Sequence, residues 1–273
     1  MDRAVNPVEH FSTWPVERAG FAILVDGRIA ESGGDEGVFE LASIAKLFAA
    51  IVAMVALEER SIDLDAPAGP DGATVRHLLA HAAGYDFDSA RLVAGVGARR
   101  VYSNTGIEVF ADHLASRTGM SYGEYLEFGV LDPLGLTETS LYGSPAHGMR
   151  SSVRDVARIA SEFMRPTLMS AATLHMARSP VFGDLSGVLP GIGRFDPNPF
   201  GLAIEVKGSK SPHWSGRSTS PETFGHFGGA GTFLWVDPVI DVGVVALTDR
   251  AFGEWAMESW PAFSELVIDR HRR

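Results

Sequence analysis

One apolar run limits what this 273-residue chain can fold into more than any other stretch of its sequence. The segment from Glu40 to Glu58 contains one charged residue between its ends, Lys46, and neither Gly nor Pro. A helix that is apolar on every side has to be buried, so we predict a helix in the interior of a large domain. The run is too short, and its charge too central, for a membrane span.

Ser43 lies three residues before Lys46, and residues at this spacing share one face of a helix. Burial lowers the pKa of a lysine toward the range in which its amine acts as a base. Ser43 also falls at the predicted start of the helix, where free backbone N–H groups favour a developing anion. The pattern therefore places a nucleophile, a base and an oxyanion donor in one turn. The alternative is that Ser43 only caps the helix while Lys46 extends to solvent.

The composition restricts the partners and the chemistry. With 23 basic and 34 acidic residues the net charge is −11, which argues against general nucleic-acid binding. The absence of cysteine excludes disulfides and thiolate chemistry. The two other lysines, Lys207 and Lys210, lie in a Gly/Ser-rich stretch that we predict to be a loop. Residues 1–20 lack the apolar core of a signal peptide, so we expect a cytoplasmic location.

Strand patterns are concentrated at the two ends of the chain. Residues 21–30 are typical of a hairpin with its turn at Asp26-Gly27, and further strands are predicted at 200–206, 223–237 and 241–248. Helical patterns fill the middle. This order predicts an α+β fold, in which an antiparallel β-sheet built from both termini is flanked by helices and carries an inserted, mostly helical lobe.

We predict a single domain, residues 1–273, with two lobes. The sheet lobe comprises about 20–60 and 200–273, and the helical lobe about 61–199. A cleft between the lobes is the expected place for a site. The Gly/Pro-rich stretch 179–199 is expected to border it, because long loops inside compact domains often do.

Two histidines, His77 and His81, are spaced four apart in a helix predicted at 74–81. This spacing can serve a metal ion, but two histidines alone do not make a site. No Glu follows His77 as it would in the His-Glu-x-x-His zinc pattern. We therefore predict no metal site and instead expect a histidine that is hydrogen-bonded under a turn.

Tyr102 and Asn104 precede a helix predicted to begin near residue 107. In a purely structural interpretation, a residue of this segment caps the helix and Tyr102 packs in the core. In a functional one, both side chains point into a cleft: the phenol passes protons with the help of a nearby cation, and the amide offers a donor and an acceptor. The glycines at 225–231 likewise mark either a strand kink or backbone N–H groups presented to a ligand.

Three short motifs in this order resemble those of the serine β-lactamase and penicillin-binding protein superfamily. They are Ser43-x-x-Lys46, Tyr102-Ser103-Asn104 and His226-Phe227-Gly228. The similarity is greatest to the branch of class C β-lactamases, D,D-peptidase-like proteins and related esterases. The third motif has the His-x-Gly form, where the superfamily commonly has Lys-Thr-Gly.

The resemblance implies a role for each motif. Ser43 attacks an acyl carbonyl to form an acyl-enzyme, which water then hydrolyses. Lys46 and Tyr102 share the proton transfers, and which of them is the general base stays open. The backbone N–H groups of Ser43 and Gly229 form the oxyanion hole, and no metal or organic cofactor is required. The substrate-binding residues that the resemblance implies are Asn104, His226 and Gly228.

From this pattern we expect a serine hydrolase that acts on a small ester or amide. His226 is only partly charged at neutral pH, so uncharged substrates are favoured over anionic ones. One alternative is a true β-lactamase or D,D-peptidase, and another is a non-catalytic acyl-binding or sensor protein of the same fold. In each case the expected partner is a small-molecule ester, amide or β-lactam, and not a nucleic acid or a membrane.

Overall fold

An antiparallel sheet forms the centre of the computed structural model, which describes residues 6–271. The strands in this range are β1 (Ala19–Val25), β2 (Arg28–Gly34), β3 (Val38–Glu40), β4 (Ser140–Leu141), β5 (Met149–Ser152), β6 (Gly187–Leu189), β7 (Gly193–Phe195), β8 (Glu205–Val206), β9 (Phe224–Gly228), β10 (Thr232–Asp237) and β11 (Val242–Thr248). Six of them form the main sheet in the order β2-β1-β11-β10-β9-β8, while β3-β5-β4 and β6-β7 form two small sheets.

The helices of the described range connect and cover these strands. They are α1 (Pro7–Phe11), α2 (Ala45–Glu58), α3 (Val75–Leu79), α4 (Asn104–Thr118), α5 (Tyr122–Leu126), α6 (Asp132–Leu134), α7 (Val153–Met164), α8 (Ala171–Arg178) and α9 (Glu254–His271). A 3-10 turn, Ala42–Ile44, leads into α2, and a π-helical segment, Glu127–Leu131, joins α5 to α6. Between residues 6 and 271, no helix is long and apolar enough to cross a bilayer.

The main sheet joins the two ends of the chain, as the sequence predicts. The hairpin β1–β2 turns at Asp26 and Gly27, whose φ angles of 55° and 74° suit a two-residue turn between twisted strands. Next to it, β1 pairs with β11 along its whole length, from Ala19 opposite Thr248 to Val25 opposite Val242. The predicted α+β fold with an antiparallel sheet from both termini is thereby confirmed.

Alternate residues of β1 enter two different cores, because successive side chains of a strand point to opposite faces. Ala22 and Leu24 join the core that contains α2 and α7, whereas Phe21 and Ile23 join the core that contains α9. Helix α7 contacts β1, β10 and β11, although it lies within the range predicted for the helical lobe. The limits of the two lobes stay a prediction.

The prediction of a strand at 200–206 is wrong for most of this range, since only Glu205–Val206 forms β8. The backbone turns back at this point: the Gly201 N–H donates to the Ile204 carbonyl over 2.8 Å. Ala203 has a φ of 55°, and its N–H donates to the Leu79 carbonyl over 2.8 Å. Hydrogen bonds to neighbouring elements therefore override the strand preference of this apolar segment.

A buried ionic cluster fastens the loop after β8 to the sheet. The Glu205 carboxylate accepts hydrogen bonds from Lys210 over 2.8 Å, from His213 over 2.9 Å and from the Trp214 indole over 2.7 Å. Burial opposes the ionisation of Glu205, but Lys210 and His213 hold its pKa below the ordinary value. The stretch around Lys207 and Lys210 is a loop, as predicted, yet both lysines are buried.

Candidate active site

Ser43 lies in the 3-10 turn immediately before the buried helix α2. Ala42, the residue before it, has a φ of 47°, which is left-handed backbone that residues with a side chain rarely adopt. Ser43 is partly exposed, whereas Lys46 is completely buried. The Ser43 Oγ and the Lys46 Nζ are 3.2 Å apart. The Ser43 hydroxyl, which a substrate can reach, is thus in contact with the Lys46 amine, which water cannot reach.

The Lys46 amine has two other partners, and both can only accept. Its Nζ donates to the Asn104 Oδ1 over 2.5 Å and to the Ala146 carbonyl over 3.0 Å. Burial lowers the pKa of Lys46 to about 7, against the opposing charges of Asp88 and Glu108. A neutral amine has two N–H groups, and these two acceptors engage them. Its lone pair is then left facing the Ser43 hydroxyl, which is the geometry of a base.

The Asn104 amide is held at both ends. Its oxygen accepts from Lys46, and its nitrogen donates to the Asp88 Oδ1 over 2.6 Å. Because the two partners require opposite ends of the amide, they fix its orientation. A direct contact of Asn104 with substrate stays a prediction. Asp88 is a site residue that the sequence did not indicate, since it lies in a loop without a recognisable pattern.

Tyr102 and His226 form a neutral pair beside Lys46, whose Nζ lies 4.7 Å from the centre of the Tyr102 ring. The His226 Nδ1 lies 2.6 Å from the Phe227 carbonyl, so we assign the proton to Nδ1, and Nε2 accepts from the Tyr102 hydroxyl over 3.3 Å. Burial and the charge of Lys46 lower the pKa of His226 to about 4. Burial raises the pKa of Tyr102. At neutral pH the imidazole is therefore uncharged and the phenol keeps its proton.

The two histidines near α3 have separate structural partners. The His77 Nδ1 lies 2.9 Å from the Thr74 hydroxyl, beside the first turn of α3. The His81 Nδ1 accepts from the Ser103 N–H over 3.2 Å, and its ring packs 4.6 Å from the ring of Tyr102. In the part of the chain that the structure describes, no group of three or more His, Cys, Asp or Glu side chains could hold a metal ion.

Gly228 allows the end of β9 to approach the turn that carries Ser43. A Cβ at this position would lie 2.3 Å from the Leu41 carbonyl oxygen and 2.5 Å from the Thr232 hydroxyl. Thr232 in turn donates to the Leu41 carbonyl over 2.9 Å. Gly229, by contrast, is exposed, and a Cβ there would meet no atom within 4 Å. The contribution of its N–H to an oxyanion hole stays a prediction.

This fold is that of the β-lactamase-fold hydrolases. The chain belongs to the beta-lactamase family, because the Beta-lactamase family model matches residues 18–267. The resemblance seen in the three sequence motifs is thereby confirmed.

Solved structures agree with this assignment. A β-lactamase (Mb2281c) from Mycobacterium bovis is 43% identical with a TM-score of 0.95, over 97% of this chain and 99% of that one. The fold alone is shared with the octameric penicillin-binding protein homologue from Pyrococcus abyssi, at 20% identity and a TM-score of 0.74 over 92% of this chain and 74% of that one. It is also shared with EstCE1, a hydrolase with promiscuous acyltransferase activity, at 18% identity and a TM-score of 0.78 over 96% of each chain.

Among curated proteins, penicillin-binding protein 4* of Bacillus subtilis is 27% identical over 157 residues. That match spans 45% of this chain and about a third, 34%, of the length of the relative. It supports the family and carries no further conclusion about activity.

Proposed function

We propose that this protein is a serine hydrolase that acts through an acyl-enzyme on a small ester or amide. The observation that carries the proposal is the 3.2 Å contact between the Ser43 hydroxyl and the buried Lys46 amine. With a pKa of about 7, a large fraction of this amine is neutral at physiological pH. A base whose pKa is near the working pH combines a useful neutral fraction with useful basicity.

In the proposed reaction the Ser43 Oγ attacks the carbonyl carbon while its proton passes to the Lys46 Nζ. The electron pair of the carbonyl moves to its oxygen, which the N–H groups of Ser43 and Gly229 stabilise. When the tetrahedral adduct collapses, the alcohol or amine leaves with a proton from the ammonium of Lys46. Water then repeats the sequence on the acyl-enzyme and releases the acid. Tyr102 keeps its proton in this scheme, because its raised pKa favours a donor over a base.

The charges around the reacting groups favour a substrate that is uncharged next to its scissile bond. His226 stands where the superfamily commonly has lysine, and with a pKa of about 4 it supplies no positive charge at neutral pH. The nearest carboxylate in the network, Asp88, adds a negative one, bound to Asn104. A carboxylate close to the nitrogen of the scissile amide, as in a β-lactam, would have no side-chain cation at the third motif to pair with.

A second candidate function is β-lactam hydrolysis or a D,D-peptidase activity. It is supported by the 43% identity to the Mycobacterium bovis protein, which is described as a β-lactamase. The neutral state of His226 weighs against it.

The first test is intact mass after brief exposure to an activated fluorophosphonate, for the wild type and for Ser43→Ala. We expect one adduct on the wild type alone. Turnover of a neutral aryl ester is then compared with turnover of a chromogenic cephalosporin, and we expect the ester to react faster. Faster turnover of the cephalosporin would favour the second candidate. Absence of any adduct would favour a non-catalytic binding protein, and adducts on both proteins would place the nucleophile elsewhere.

A further inference from the structure

We infer that the natural substrate carries an anionic group, a carboxylate or a phosphate, at the end remote from its scissile bond, and that Arg99 and Arg194 bind this group. The inference rests on the proposed function and names the class of substrate for the same site.

A cavity of about 360 Å³ extends outward from Tyr102. One wall contains Asp86 and Phe87, and the other is the hairpin β6–β7, which belongs to the Gly/Pro-rich stretch 179–199. The backbone joins the two walls, because the Arg100 N–H donates to the Ser186 carbonyl over 2.8 Å. Tyr102 belongs both to the lining of this cavity and to the network around Lys46, so the cavity adjoins the candidate active site.

Part of the cavity lining is apolar. Phe87 is 42% exposed, and its ring lies 5.8 Å from the ring of Tyr102. Val188 is 51% exposed on the opposite wall. Exposed apolar side chains on both sides of one cavity favour an apolar segment of a ligand between them.

Two exposed arginines, Arg99 and Arg194, also line the cavity. Arg194 lies opposite Val188 in the β6–β7 register, so both side chains project from the same face of the hairpin. Among the residues that the structure describes, the Arg194 guanidinium donates only to the Ser186 hydroxyl, over 3.4 Å, and the Arg99 guanidinium only to the Val93 carbonyl, over 3.0 Å. Within residues 6–271, neither has a carboxylate within 4.0 Å, whereas several other arginines of the chain do. Most of their five N–H donors each are thus available to a ligand.

The remaining charges at the cavity do not cancel these two. Asp86 also lines it, but its carboxylate is paired with Arg91 over 2.6 Å. Arg100 is buried beneath the cavity, where its guanidinium donates to backbone carbonyls alone. In a chain of net charge −11 this is a locally cationic region. Arginine binds carboxylates and phosphates through paired N–H groups, so an anion is the ligand that fits.

The test compares matched pairs of aryl esters that differ only at the remote end of the acyl chain, a carboxylate in one and a methyl group in the other, over a series of chain lengths. A second series places the same difference on the alcohol. We expect the kcat/KM of the wild type to be higher for the anionic ester than for the neutral ester at one chain length. Arg99→Gln and Arg194→Gln should each reduce kcat/KM for the anionic ester roughly three- to fivefold, with the neutral ester unchanged. Added salt should reduce the preference, because it screens exposed charges.

Arg117→Gln is the matched control, since Arg117 is an exposed arginine on α4 that does not line the cavity. Equal rates for both members of every pair, or equal losses in the control, would overturn the inference while leaving ester hydrolysis intact. If the wild type hydrolyses neither these esters nor the corresponding amides, the proposed function has failed. The same pairs are then titrated calorimetrically into Ser43→Ala, with and without Arg99→Gln or Arg194→Gln. Tighter binding of the anionic ester that is lost with either arginine would support the inference independently of hydrolysis, and equal binding of both esters would overturn it.

Discussion

At the scale of single residues, the protonation state of Lys46 should govern the reaction. Burial lowers its pKa to about 7, and only the neutral amine can take the proton of Ser43. We therefore expect kcat/KM for a neutral aryl ester to fall as the pH decreases through about 7 and to reach a plateau above it. Stopped assays across the pH range measure this profile. The falling part of this profile is its acidic limb. An acidic limb near the ordinary pKa of lysine, or no limb at all, would contradict the assignment of Lys46 as the base.

Asp88 should influence the same limb through its charge. Its carboxylate is bound to Asn104 and raises the pKa of Lys46. Asp88→Asn keeps an oxygen that can accept from the Asn104 amide but removes the charge, so the limb should move to lower pH. Asp71→Asn, which removes an exposed charge from a loop at 65–74, is the control and should leave the profile unchanged. An unshifted limb in Asp88→Asn would mean that water screens this carboxylate completely.

The contact at the centre of the candidate site could be predicted from the side-chain pattern, but the groups that hold Lys46 in place could not. The spacing of Ser43 and Lys46 in an apolar helix already predicts their contact, which the structure places at 3.2 Å. Nothing in the sequence indicates that the Ala146 carbonyl is a partner of Lys46, because every residue has a backbone carbonyl. The burial of Lys210 was also unpredictable, since its partner Glu205 belonged to a segment predicted as a plain strand.

At the scale of elements, the packing of β9 on the Ser43 turn should be intolerant of a single methyl group. Gly228→Ala would place a Cβ 2.3 Å from the Leu41 carbonyl oxygen, so either the strand or the turn must move. We expect a loss of about 1–3 kcal/mol in the free energy of unfolding and a roughly 10- to 100-fold loss in kcat/KM. Denaturant titration and ester assays measure the two effects.

Gly229→Ala is the internal control for this experiment. The new methyl group would enter open space and the backbone N–H would remain, so stability and activity should be close to those of the wild type. Equal effects of the two substitutions would show that the close approach at Gly228 has no influence on the site.

Elements with a local signal were predictable, and those set by distant partners were not. The hairpin β1–β2 follows from Asp26-Gly27, and α2 from its uninterrupted apolar run. The segment 200–206 has equally apolar residues, but its N–H groups bond to α3 and to the end of α8. Periodicity carries no information about such partners.

At the scale of the whole molecule, the ionic cluster around Glu205 should stabilise the entire fold. It connects the 207–223 loop to the edge of the main sheet through Lys210, His213 and Trp214. Glu205→Gln and Lys210→Met should each lower the free energy of unfolding by about 3–5 kcal/mol, because each leaves a buried polar group without its partner. Urea titration measures this loss.

The exposed pair Arg18–Asp35 provides the comparison for the cluster. Asp35→Asn should change stability little, because water screens a surface ion pair. If Glu205→Gln were equally mild, the cluster would be incidental to stability.

The pairing of β1 with β11 also determines when the sheet can close during synthesis. Ala19 is synthesised long before its partner Thr248, because most of the fold lies between them in the sequence. Until then, the β1–β2 hairpin has an unpaired edge, and its apolar face lacks the helix α9 that covers it in the finished protein. Such edges join other chains readily, and contacts between distant residues form slowly. A nascent chain of this topology is therefore exposed to aggregation until β11 has been synthesised, and chaperones that shield emerging strands should increase its yield.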